Sequence, residues 1–270
     1  MKQSEYLISA LRNKALIPRY CLENIEYLEI ERDSKAFSKM AVLLKCFCDI
    51  PLHKITNHYD RGLSLAHEPD GVYSHTALYG EFALAFSKTW SEQNNLLPVH
   101  YLNTDAIYSH QLVYAIKEVL SDELSISETV ENSILSQLAY IKPLRGRMER
   151  VNKDGSQLIN QNFYDEQEWR FIPPQSFENN EFPFVMANPN LLTNQTLSLY
   201  SAQLESSVHK QYWLNFEYDD LRYIIVPDRA ARKEVINAIM ELDESKINDE
   251  WAKFLLVSKI LVLDEIRRDW

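Results

Sequence analysis

A chain of 270 residues, 46% hydrophobic and 25% charged, has the balance of an ordinary globular protein with room for one large domain. Its formal net charge of −11 argues against a general binder of phosphate backbones, which needs a positive footprint. With 5 glycines, no G-x-G-x-x-G and no Walker-type motif, a glycine-rich phosphate loop is excluded as well.

No apolar run approaches the roughly 20 residues of a membrane-spanning helix. Met1 to Tyr6 lacks the apolar stretch of a secretory signal, so a cytoplasmic location is expected. Cys21, Cys46 and Cys48 are then expected as reduced thiols, not a disulfide framework. The C-x-C spacing of Cys46 and Cys48, even with His53 and His58 nearby, is not the usual zinc spacing. No metal site is expected.

In chain order, Ser4 to about Lys14 has the apolar spacing of a short amphipathic helix. Leu16–Cys21 reads as extended chain, and Glu23 to Ile30 is ambiguous. The run from Val42 to Cys48 reads as a buried strand. Asp49-Ile50-Pro51 is a start signal for a helix over Leu52–Tyr59. Residues 61–78, with the turn Glu68-Pro69-Asp70-Gly71, form the best candidate for a surface insertion. A strand over Glu81–Phe86 follows, with Ser87 capping a helix through Gln93, and then a strand over Leu97–Leu102. Tyr108–Leu120 has helical spacing. Ser125-Ile126-Ser127-Glu128 has a capping-box pattern that opens another helix, closed by Pro143.

Lys142 to Arg150 is the single basic cluster; it reads as a solvated loop, with contact to a phosphate or an acidic partner as the alternative, and leads to a turn at Asp154-Gly155. Residues 175–211 are rich in Asn, Ser and Pro and predict an irregular region with short strands and one helix. Leu221–Val226 reads as a buried strand, Arg229–Leu242 as a helix, and Trp251–Val262 as helix or strand. These elements predict a single α+β domain over residues 1–270, with a mixed, mainly antiparallel sheet flanked by helices.

The densest concentration of chemistry is Asn162-Phe163-Tyr164-Asp165-Glu166-Gln167-Glu168-Trp169-Arg170-Phe171-Ile172-Pro173. As an extended strand it places Gln167, Trp169 and Phe171 on one face and Glu166, Glu168 and Arg170 on the other. The aromatic face fits a core. The charged face positions groups for a polar ligand, or for one another as a wet face of ion pairs. In the second case Arg170 pairs with Asp49 or Glu168. Trp90, Trp169 and Phe86 fit core positions better than ligand-stacking ones.

Two stretches resemble a known family. Cys46-Phe47-Cys48-Asp49-Ile50-Pro51-Leu52, His58-Tyr59, Tyr79-Gly80, Phe86-Ser87-Lys88-x-Trp90 and Pro98-Val99-x-Tyr101 are similar to one AbiGi signature. Asn162-Phe163-Tyr164 through Glu168-Trp169-Arg170 is similar to the second. The resemblance spans roughly residues 40 to 173 and departs from the pattern by an insertion between Tyr59 and Tyr79. It implies a component of a bacterial abortive-infection system, an antitoxin-like protein that restrains a cognate toxin or another defence protein by direct contact, with no cofactor. Asp49, His58, Tyr59, Tyr79, Lys88 and Arg170 are then candidates for a binding cleft, with Glu168 beside His58.

A second expectation comes from Glu166-Gln167-Glu168, which resembles the E-x-E motif of ADP-ribosyltransferases. There Glu168 would hold a ribose hydroxyl of NAD and stabilise the oxocarbenium-like state as nicotinamide leaves, Glu166 would orient or deprotonate the acceptor, and Arg19 and Ser87 would complete the site.

Overall fold

The computed structural model describes residues 1–32, 35–51, 76, 79–120, 127–152, 155–174, 181–243, 247 and 249–269. The α+β expectation holds. Among the described residues strands are mainly antiparallel, with two parallel pairs, His100–Leu102 with Ile141–Pro143 and Leu221–Val226 with Ile260–Val262. They are distributed over several small sheets rather than one. Packing divides the chain into two compact units, one of residues 1–17, 50–95 and 213–270, the other of residues 18–49 and 96–212.

The second unit is built on the strand Lys39–Cys48. Its first half is apolar without alternation because Met40, Ala41, Val42, Leu43 and Leu44 are all buried, as a strand covered on both faces requires. The strand Arg19–Asn24 pairs along residues 39–44, and Val185–Met186 pairs with Ala41 and Val42. Further on, Glu168–Phe171 takes over as partner, setting Arg170 opposite Cys46 and Glu168 opposite Cys48. Leu97–Pro98 adds to the far edge of Glu168–Phe171. Met40, Val42 and Leu44 pack with Ile25, Leu28, Leu102, Ile116, Leu138 and Ile141 in one apolar core. That core fixes the backbone on which the charged side chains are hung.

The first unit joins helix Ser4–Asn13 to helix Arg229–Met240, through the buried faces Leu7, Ala10, Leu11 and Val235, Ala238, Ile239. Strand Leu221–Val226 lies between Ala83–Phe86 and Ile260–Val262. Gly80 sits at φ +93 with its α-carbon against the Met1 and Lys2 backbone, where a β-carbon would collide. Only glycine fits there.

Several sequence expectations shift. Helix Lys88–Gln93 is capped as expected, with Trp90 N donating to Ser87 Oγ at 3.1 Å. Helix Glu128–Gln137 is preceded by Ser127, whose Oγ accepts from Val130 N at 3.4 Å, while Ser125 and Ile126 of the predicted capping box lie outside the described residues. That helix stops at Gln137, so Pro143 ends a strand instead. The basic cluster is not a loop. Arg145–Asn152 and Gly155–Asn162 form a regular antiparallel hairpin. Trp251–Val262 resolves into both alternatives, helix Glu250–Ser258 and strand Ile260–Val262. The irregular region contains Val185–Met186 and helix Asn194–Leu204. The predicted helix over Leu52–Tyr59 lies outside the described residues, as does nearly all of the predicted 61–78 insertion.

Candidate functional site

The Glu-x-Glu-x-Arg stretch is not one continuous strand. Phe163–Glu166 is a turn of 3-10 helix and Gln167 takes a left-handed conformation at φ 43. Strand pairing begins at Glu168. Asp49 N donates to Gln167 O at 2.9 Å, tying this reversal to the end of the long strand. The consequence is a correction: Glu166 and Glu168 are not neighbours along a strand face. They converge from a turn and a strand on one ammonium group, that of Lys142.

Lys142 Nζ donates to Glu166 Oε2 at 2.9 Å and to Glu168 Oε2 at 2.8 Å, and lies 4.7 Å from the Phe163 ring centroid. Arg170 Nε donates to Glu168 Oε1 at 2.7 Å, Nη1 to Ala139 O at 2.6 Å and Nη2 to Glu23 Oε1 at 2.8 Å. Glu168 N–H donates to Tyr101 Oη at 2.7 Å. Arg170 is 0% exposed, Glu168 4% and Glu166 5%. The charged face therefore points inward, opposite to a wet ion-pair surface, while Trp169 is half-buried.

Burial by itself raises the Glu168 pKa, but the neighbouring Lys142 and Arg170 charges and their hydrogen bonds outweigh it and hold the carboxyl at about 2. The Arg170 guanidinium is opposed by burial and pushed up by Glu23 and Glu168. Burial also raises the Tyr101 phenol to about 12, so its oxygen accepts the Glu168 N–H while keeping its own proton. Glu168 is thus held as the carboxylate with one cation on each oxygen, and a pKa of about 2 is far from the working pH that suits a general base.

Of the residues singled out from sequence, Asp49, Glu166, Glu168 and Arg170 belong to the second unit and come together around the same strand end. Arg170 takes Glu168 as expected, with Glu23 as its other ionic partner. Tyr79 and Lys88 belong to the first unit, and His58 and Tyr59, with the expected proximity of His58 to Glu168, lie outside the described residues. The candidates for an NAD site are otherwise employed. Arg19 Nη2 pairs with Glu205 Oε1 at 2.8 Å, and Ser87 caps a helix in the first unit. Among the described residues no group of three or more His, Cys, Asp or Glu is arranged to hold a metal ion, and no helix is long and apolar enough to cross a membrane.

Sequence reasoning did not assign Lys142, Glu23 or Tyr101 to the site. Lys142 was visible as the first residue of the basic cluster, and Tyr101 as the last residue of the signature Pro98-Val99-x-Tyr101. Glu23 sits 147 positions from Arg170, with nothing local to mark it.

This network joins five stretches of chain between Glu23 and Arg170, and the same span carries the family signatures. Residues 14–227 match the family model described as "Putative abortive phage resistance protein AbiGi, antitoxin". The chain belongs to the AbiGi family. It is also similar to the abortive phage resistance protein AbiGi of Lactococcus lactis subsp. cremoris, at 34% identity over 264 residues, covering 95% of this chain and 100% of that relative. No solved structure matches the chain. Membership in AbiGi supports a role in bacterial phage defence, and every residue of the buried network lies within the family match.

Proposed function

We propose that this AbiGi protein acts by binding, restraining a partner of its phage-defence system through protein contact rather than through chemistry at Glu166 and Glu168. The observation that carries this reading is the burial of Glu168, which is 4% exposed. A carboxylate that is to hold a ribose hydroxyl must be reachable by the ligand, and Glu168 instead faces inward onto Arg170 and Lys142. The family description as an antitoxin supports the same reading. So does the net charge of −11, which suits a basic, nucleic-acid-handling partner, since complementary charge raises the encounter rate and suppresses wrong partners.

The test is to co-express the chain with the product of the gene adjacent to it, isolate any complex at low salt and follow it as salt is raised. A complex that weakens steeply with salt supports the reading. Absence of a complex at low salt rules it out. Incubation with labelled NAD and cell extract provides the enzymatic comparison, with transfer that is lost in Glu168→Gln as the contrary result.

A further inference from the structure

Helix Glu250–Ser258 buries Leu256 and packs on helix Arg229–Met240. Its other face is unusual. Trp251 is 66% exposed, Phe254 50% and Leu255 48%, and their spacing of three and four residues places them in one stripe. Met240, on the neighbouring helix, is exposed as well. A single exposed apolar side chain needs no explanation, but three large ones in a contiguous stripe mark a surface that is covered in use. Trp in particular is enriched among the residues that dominate binding energy.

The surroundings select the occupant. Among the described residues from Glu241 to Leu255, Glu241, Asp243, Asp249 and Glu250 are acidic and Lys253 is basic, with Glu241 3.6 Å from Arg12. Lys253 is drawn onto the protein itself, its Nζ donating to Met240 O at 2.9 Å and Leu242 O at 2.7 Å. Asp249 is exposed while its Oδ1 caps the helix by accepting from Trp251 N at 3.0 Å, and Glu250 is exposed beside it. A partner with an apolar centre and basic edges meets both features.

We infer that the Trp251–Phe254–Leu255 stripe is the docking face for the restrained partner, and that it takes an amphipathic, basic-edged segment of that protein. This rests on the reading of the protein as a restraining partner and names the surface through which it would act.

The experiment uses the full chain and the purified product of the adjacent gene. Trp251→Ser and Phe254→Ser, each checked for an unchanged thermal transition, are expected to raise Kd by at least about thirty-fold, the scale of a central aromatic anchor. Leu199→Ser, an equally exposed apolar residue on helix Asn194–Leu204, is expected to leave Kd unchanged. Hydrogen exchange on the unmodified complex, which does not depend on how the variants fold, is expected to show protection of residues 249–258. A complex that survives both substitutions without protection of this helix overturns the inference and leaves the restraining role standing. Self-association of the chain that is lost in Trp251→Ser overturns it in favour of a second copy as occupant. If the unmodified chain forms no complex, the restraining role falls and the docking face with it.

Discussion

Glu168 engages three partners at once, Arg170 and Lys142 through its two oxygens and Tyr101 through its backbone N–H. Removing one member of such a buried set leaves the others desolvated and uncompensated, at a cost of about 3–5 kcal/mol. Glu168→Gln is therefore expected to destabilise the fold by about that amount in urea denaturation, while partner binding per folded molecule stays intact. A loss of binding without a loss of stability would contradict the structural role. The pH dependence follows from the depressed pKa. In the unfolded chain a glutamate has a pKa of about 4.3. Glu168 then contributes stability that is fully present above that value and is lost as pH falls toward its folded value of about 2. Stability of the native protein should fall through this acid window. Glu168→Gln should show a shallower fall over the same window, measured by urea titrations at stepped pH.

Elements differ in how far their own residues declare them. Lys39–Cys48 was legible as a strand because five successive buried apolar residues have few other uses in so short a run. Strand Leu221–Val226 and the helix after it were legible for a related reason: the apolar run stops at Pro227, and Asp228 accepts from Ala231 N at 2.8 Å as an N-cap. Asp228→Ala should cost about 1 kcal/mol in the same urea assay, and an unchanged midpoint would show that the cap adds nothing. The hairpin Arg145–Asn162 was not legible. Its first strand carries Arg145, Arg147, Glu149 and Arg150, and charge there obscured the period-two pattern that marks a half-buried strand. Gln167 was equally opaque. A left-handed residue is ordinarily advertised by Gly or Asn, and without that signal the chain read straight through from Glu166 to Phe171. Missing one turn reversed the meaning of the charged residues, from a displayed face to an interior network.

At the scale of the whole molecule, the fold class and the family could be read from the chain, while of the site's pairing only Arg170 with Glu168 could. Arg170 meets Glu23, and Lys142 meets Glu166 and Glu168, across separations that only the assembled fold supplies. The net charge of −11 belongs to this scale too. Association with a basic partner should slow by at least about tenfold between 50 and 300 mM salt, since electrostatic steering is screened over that range. Stopped-flow mixing would measure it, and a flat salt profile would point to a neutral interface. The interior placement of Glu168 and Arg170 also bears on genetics. A screen for alleles that abolish immunity to phage would be enriched in changes at these two codons, and sequence alone would tempt one to label them catalytic. Their shared signature should instead be low protein abundance, as misfolded chains are degraded, and alleles that spare abundance would map the surface that does the work.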